Sequence, residues 1–350
     1  MDGSTSWAEL LDALTQRRDL TATQTRWAIT ETVRGNAPTA ALAGFLAALR
    51  TKGETVEELT GVVEALLASA VPVVAPRPCV DIAGTGGDGT GAMNVSTLAA
   101  VVAAGAFLMD GTGTRVVKHG GRAASSTTAG SADLVEALGI DLDLMPQQAA
   151  DRASQYGFSY LFAPTFNPGL RHAVDARRGL GVPTVFNLAA PLVNPARPDH
   201  QVVGVADGSR AATVAAVLQG LRRTGLVVRG DDGLDKLTTT TTSQVHIVRP
   251  DRITSVTIDP VSLGFPHAEL SEFRGATAAD NAVRARAMLS GERSPLRDIV
   301  VLNAAAVLVA DTLTADRAEQ QFRAAIVRAE QAIDSGRAAG CLASAQTRVG

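Results

Sequence analysis

A chain of 350 residues, 46% of them hydrophobic, has the length of about two domains and enough apolar side chains for sizeable cores, which excludes a disordered or scaffold-only protein. With 32 basic residues against 35 acidic ones the formal net charge is −3, so no global positive field draws in nucleic acid and any phosphate site must be local. The two cysteines, Cys79 and Cys341, support neither a disulfide framework nor a zinc site, and aromatic residues, at 4%, supply no stacking platform for single strands. The longest apolar run, Leu98 to Met109, is shorter than the ~18 residues of a membrane span. The start, MDGSTSWAEL, lacks a basic region followed by an apolar one, so the expectation is a cytoplasmic protein with no membrane contact.

The first 70 residues read as helices. Ser6 with Glu9, Thr21 with Gln24 and Thr55 with Glu58 have capping-box spacing, and Leu42, Phe45, Leu46 and Leu49 repeat at helical period. Residues 71–78, VPVVAPRP, cannot extend a helix and mark a hinge or linker. From Cys79 onward, short apolar runs alternate with Gly-rich turns and helical stretches. The strand candidates are CVDIA, RVVKHG, FSYLF, TVFN, QVVGVA, GLVVRG and SQVHIV; TTTTT at 238–242 reads as extended, and the last fifty residues read as helices. The expected fold is α/β: residues 1–72 as a helical bundle, joined in space by about 166–190, and 73–350 as a domain with a mainly parallel sheet flanked by helices.

Two loops carry chemistry. In the first, a strand ends at Asp81-Ile-Ala-Gly84, a loop follows with Gly86, Gly87, Asp88 and Gly89, and a helix opens near Asn94, with Val95, Ser96 and Thr97 in its first turn. Glycines let the main chain approach an anion and helix N-terminal amides add positive partial charge, so this is a phosphate loop or, on the plainer reading, a structural turn. The G-x-G-x-x-G spacing of Gly84, Gly86 and Gly89 is not taken as a dinucleotide fingerprint, because seven residues separate the third glycine from Thr97 and the apolar helix. No Walker lysine follows either.

The second loop, Lys118-His119-Gly120-Gly121-Arg122 through Ser125, Ser126 and Gly130-Ser131, again leads from a strand to a helix, with two cations and several hydroxyls. Two cradles at one sheet edge point to a polyphosphorylated ligand; a Ser/Thr-rich surface turn is the alternative. Only Lys52, Lys118 and Lys236 are lysines, so a lysine here reads as chosen for the chemistry of a compact ammonium or as chance. The remaining histidines, His172, His200, His246 and His267, show no ligand spacing.

Together these residues resemble the anthranilate phosphoribosyltransferase family, which is related to the pyrimidine nucleoside phosphorylases. The resemblance covers nearly the whole chain: AALAGFLAALRTKGETVEEL at 40–59, the GTGGDG and NVST loops, KHGGRAASS, FNPGLRHAVDARRGLGVPTVFN at 166–187, PLVNPA at 191–196, GLDKLT at 233–238 and VVLNAAAVLVA at 300–310. It implies magnesium-dependent transfer of 5-phosphoribosyl from phosphoribosyl diphosphate to anthranilate in tryptophan biosynthesis. A diverged enzyme acting on another aromatic acid, or a non-enzymatic nucleic-acid-binding relative, is the alternative.

By the same resemblance, Gly84, Gly86, Gly87, Asp88, Asn94, Val95, Ser96, Thr97, Lys118, His119, Gly120, Arg122, Ser125, Ser126 and Ser131 hold the donor, and Ser96 and Asp235 hold magnesium. Gly84, Gly121, Asn167, Arg177 and Pro191 face the acceptor, with Arg177 on its carboxylate. No general acid or base is implied, and a homodimer through the helical domain is. The chain departs from the family pattern at Gly121 (usually Asn), at Asn167-Pro168 (usually His-Pro), at Ala190-Pro191 (usually Gly-Pro) and by one extra residue before Gly130. It also has Asp235-Lys236 where Asp-Glu is usual. A protonated lysine cannot ligate metal, so the expectation is one magnesium near the diphosphate rather than two, with Lys236 supplying part of the missing charge.

Overall fold

The computed structural model describes residues 5–122 and 129–346. Four helices come first: α1 (Trp7–Thr15), α2 (Ala22–Val33), α3 (Thr39–Lys52) and α4 (Val56–Ser69). The three capping boxes read from sequence form, with Ser6, Thr21 and Thr55 accepting from the amides of Glu9, Gln24 and Glu58. Each satisfies two backbone groups that a helix start otherwise leaves bare, which explains why these ends were legible. Leu42, Phe45, Leu46 and Leu49 are all buried in the bundle core.

Lys52 turns out to be structural. Its ammonium donates to Asp19, to the carbonyl of Gly53 and to Glu58 at 2.7, 2.8 and 2.9 Å, and the fully buried Glu58 also receives the amides of Leu20 and Thr55. The segment after α4 is pinned rather than loose. Val71 N–H donates to the carbonyl of Phe166 at 2.8 Å, and Arg77 Nη1 to that of Arg197 at 2.7 Å.

The sheet has seven strands: β1 (Cys79–Gly84), β2 (Arg115–Gly120), β3 (Phe158–Phe162), β4 (His200–Gly204), β5 (Thr224–Gly230), β6 (Ser243–Val248) and β7 (Ile253–Ile258). Their order is β3-β2-β1-β4-β5-β6-β7; the first five run parallel, with Ile82 beside Val202 and Val202 beside Leu226, and β6 and β7 are added antiparallel. Side chains alternate across it. Ile82, Val202, Leu226 and Val228 face one core with α5 (Val95–Asp110), α13 (Pro295–Leu308), α14 (Ala318–Asp334) and α15 (Arg337–Ala345), while Val203 and Val227 face α11 (Ala211–Gly220) and the bundle.

Between β2 and β4 lie α6 (Ser131–Ala137), α7 (Pro146–Tyr156), α8 (Ala163–Phe166), α9 (Val174–Leu180) and α10 (Val185–Ala189). The helix α12 (Ala278–Leu289) precedes α13. Residues of α9 and α10, among them Ala176, Val185 and Phe186, share the apolar core of the N-terminal helices.

Three sequence expectations are corrected. TVFN is not a strand but the start of α10: the amide of Thr184 donates to Asn187 Oδ1 in an N-terminal box, which outweighs the β-preference of Val and Phe. β7 was missed because Thr254 shares the inward face with Val256 and Ile258 while Ile253 lies on the side of the exposed Ser255 and Thr257, which spoils the apolar alternation. The threonine run bends instead of extending, because the hydroxyls of Thr238 and Thr240 both donate to Asp232 Oδ2, at 2.7 and 2.6 Å.

Candidate active site

The carboxyl ends of β1, β2 and β4 meet the turn at 231–237, and this is where the sequence-predicted residues gather. Gly84 and Gly204 end neighbouring strands with no side chain because Asp235 lies on them. A Cβ on Gly84 would come to 2.1 Å from Asp235 Oδ2, and one on Gly204 to 1.7 Å from its carbonyl oxygen. The Gly86 amide then donates to Asp235 Oδ2 at 2.7 Å. Asp88 is held by its own loop, its Oδ1 accepting from the amide and hydroxyl of Thr90 at 3.1 and 2.9 Å. Asn94 caps α5 and donates to the carbonyl of Ala129 at 2.8 Å, which ties the first cradle to the second. Ser96 and Asn94 remain partly exposed, and Val95 and Thr97 are buried in the first turn of α5.

The second cradle starts from a buried cation. Lys118 is 3% exposed and donates to the carbonyl of Ile82 at 2.6 Å. Burial pushes its pKa down, with Asp81 and Asp235 opposing that shift. Asp81, also buried, has its pKa raised by burial against the pull of Lys118, and it accepts from Asn194 Nδ2 at 2.8 Å. His119 is pushed down to about 4, first by burial and then by the Lys118 ammonium, so near neutral pH it is an uncharged ring. Its Nε2 lies 3.0 Å from Asn167 Nδ2. Ser131 Oγ donates to the carbonyl of Gly121 at 3.1 Å and pairs with Tyr160 OH at 2.8 Å. Arg122 does not face this cluster; it pairs with Asp133 and Glu136 at 2.6 and 2.9 Å and lies over the Phe162 ring. Ser125 and Ser126 fall outside the described residues.

Across the glycine loop stands the segment 174–191. Pro183 flanks Gly87, and Asn187 Nδ2 reaches the carbonyl of Thr85 at 3.4 Å. One turn earlier, the Arg177 guanidinium sits 5.6 Å over the Phe186 ring, with no carboxylate beside it among the described residues. Burial alone moves its pKa down. Pro191 is buried, and its carbonyl accepts from Gln201 at 2.9 Å. Among the described residues, a Cβ on Gly121 would meet only Ala163, at 3.6 Å. Beside the loop is a cavity of about 260 Å³, lined by Arg50, Gly86, Gly87, Asp88, Asn187 and Asp207 among others. Sequence reasoning missed Arg50, Tyr160 and Asn194 as neighbours of the site. Asn194 lies in the quoted PLVNPA run, but nothing local in the sequence places it against Asp81.

Two family models cover the chain, the helical bundle domain of a glycosyl transferase family over residues 8–70 and that family's a/b domain over 76–339. A curated anthranilate phosphoribosyltransferase of Acidothermus cellulolyticus is 49% identical over 96% of this chain and 93% of its own, and one from an Arthrobacter species is 48% identical over 96% and 94%. The chain belongs to the anthranilate phosphoribosyltransferase family. Solved members agree in fold. The anthranilate phosphoribosyltransferase of Thermus thermophilus superposes with a TM-score of 0.86 at 36% identity, covering 96% of this chain and 98% of its own. That of Saccharomyces cerevisiae, in complex with PRPP and Mg, superposes with 0.84 at 27% identity, covering 98% of both.

For an anthranilate phosphoribosyltransferase, the donor set present is informative about magnesium. Among the described residues no three His, Cys, Asp or Glu side chains converge on one point, so the protein offers no cage of its own. The partly exposed Ser96 hydroxyl is a single hard oxygen donor beside main-chain amides, which suits an ion held mainly by substrate phosphates. At Asp235 the fit fails. Oδ1 lies 2.5 Å from Lys236 Nζ, and Oδ2 takes the Gly86 amide.

Proposed function

We propose that the protein transfers 5-phosphoribosyl from phosphoribosyl diphosphate to anthranilate, with magnesium, as the phosphoribosylation step of tryptophan biosynthesis. The observation that carries this reading is the junction of two main-chain cradles with Lys118 at one sheet edge, opposite an Arg177 guanidinium that has no carboxylate partner among the described residues. The relatives' names favour anthranilate over another aromatic acid.

Displacement at the anomeric carbon of a ribosyl diphosphate passes through an oxocarbenium-like state in which negative charge builds on the departing diphosphate. Catalysis therefore needs leaving-group stabilisation and alignment more than a strong base. In this reading the amides of Gly87 and Asp88 and that of Ser96 in the first turn of α5 hold the diphosphate, while Lys118, Gly120 and Ser131 border the ribosyl phosphate. Magnesium, when bound, supplies further charge neutralisation on the diphosphate, with Ser96 as its protein ligand. Arg177 takes the acceptor carboxylate through its planar fork, near Gly121, Asn167 and Pro191. No side chain is assigned as general acid or base.

Among the described residues, no helix is long and apolar enough to cross a membrane. A cytoplasmic location is proposed with the biosynthetic role. A homodimer through the helical bundle is also proposed; the partly exposed Trp7, Leu11 and Trp27, with the two indoles 5.4 Å apart, give that bundle an apolar side to cover. Light scattering at twice the chain mass supports the dimer, and a single-chain mass refutes it.

Complementation tests the function. Expressed in a tryptophan auxotroph lacking this transferase, the gene is expected to restore growth without tryptophan. Soluble expression without growth would contradict the assignment to anthranilate.

A further inference from the structure

Lys236 is 7% exposed and bridges two segments distant in sequence. Its ammonium lies 2.5 Å from Asp235 Oδ1 and 3.1 Å from Asp88 Oδ2, 148 residues away on the glycine loop. Every oxygen of the two carboxylates already has a partner. Asp235 Oδ2 takes the Gly86 amide, and Asp88 Oδ1 takes the amide and hydroxyl of Thr90. A divalent cation placed between Asp88 and Asp235 would have to displace an ammonium that already pairs with both, and like charges repel strongly in so buried a space. An ammonium has three N–H donors, and here two are spent on carboxylates. The third has no protein acceptor among the described residues, and Asp88, which holds the ammonium, lines the cavity beside the glycine loop.

We infer that Lys236 is a donor-binding residue, a protein-borne cation that stands between Asp88 and Asp235 and gives its third N–H to the diphosphate, so that one divalent ion accompanies each bound donor. This rests on the donor-site reading above. Held by carboxylate oxygens at 2.5 and 3.1 Å, this cation is part of the fold and does not depend on metal concentration. It also gives Asp235, whose residue type suits a metal ligand, a cation of the protein's own as its charge partner.

The test counts ions. With saturating phosphoribosyl diphosphate and manganese as the spectroscopic probe, electron paramagnetic resonance titration of the unaltered protein is expected to show one manganese per chain. Two per chain, with donor bound, overturns the inference alone. No donor binding at all overturns the donor-site reading and this inference with it. In Lys236→Met, checked for folding by its melting curve, donor affinity at saturating manganese is expected to fall tenfold or more, with Lys236→Arg retaining most of it. Unchanged affinity in the Met variant overturns the inference, and if that variant does not fold, the ion count on the unaltered protein decides.

Discussion

Asn167 Nδ2 lies 3.0 Å from His119 Nε2, joining the end of α8 to β2 inside a space that leaves each residue 5% exposed or less. With the ring neutral, the amide donates and the imidazole lone pair accepts, which leaves Asn167 Oδ1 buried with no partner among the described residues. Protonating the ring would break this bond and set a cation beside Lys118.

That arrangement predicts acid sensitivity. The folded pKa of His119, about 4, lies below its ordinary 6.5, so as pH falls the unfolded chain binds the proton first and stability is lost between those two values. The full loss is on the order of 3 kcal/mol from this one group. Urea midpoints at pH 7 and pH 4.5 should show a steeper acid loss in the unaltered protein than in His119→Gln. Equal losses would remove His119 as a source.

A second prediction concerns Arg177. If it holds the acceptor carboxylate in a partly desolvated place, Arg177→Ala should cost about 2–5 kcal/mol of acceptor interaction. The KM for anthranilate should rise steeply while donor affinity holds. An unchanged KM would take Arg177 out of the site.

Donor binding should depend on metal and, through it, on Ser96. Calorimetric titration of phosphoribosyl diphosphate is expected to give strong binding with magnesium and much weaker binding after chelation. Ser96→Ala should lose about 1 kcal/mol of the metal-dependent part. Equal affinity with and without magnesium would contradict a metal-bridged donor.

The helical bundle offers a stability prediction. Glu58 is fully buried under Lys52, so Glu58→Ala strands two amides and leaves Lys52 only Asp19 and the Gly53 carbonyl, and should destabilise by about 3–5 kcal/mol. Because the partners of Lys52 hold its pKa above the ordinary 10.5 against burial, on the alkaline side this stabilisation is intact below 10.5 and is lost as pH rises through the folded value. A thermal melt at pH 7 checks the magnitude, and a small shift in midpoint would show that the pair is dispensable.

Much of this was legible because it is local. The three capping boxes need only residues three apart, and the Gly84–Thr97 loop advertises its use through glycine density followed by a helix start. What escaped was decided across the fold. Val185 and Phe186 favour a strand until Thr184 and Asn187 close a helix start around them. Lys52 was open to a chemical reading until Glu58 and Asp19 claimed it, and Lys236 could not show its tie to Asp88 from its neighbours in sequence. Arg122 looked like a phosphate contact from its place in KHGGR, but the acidic residues of α6 lie within reach and hold it aside.

The most direct measurement of the central claim is the stoichiometry of turnover in the purified protein: loss of anthranilate fluorescence and release of diphosphate, followed together as initial rates. The account predicts that anthranilate disappears only when phosphoribosyl diphosphate and magnesium are both present, with one diphosphate released per anthranilate consumed. Donor binding without any consumption of anthranilate, or diphosphate release at the same rate when anthranilate is omitted, would contradict it.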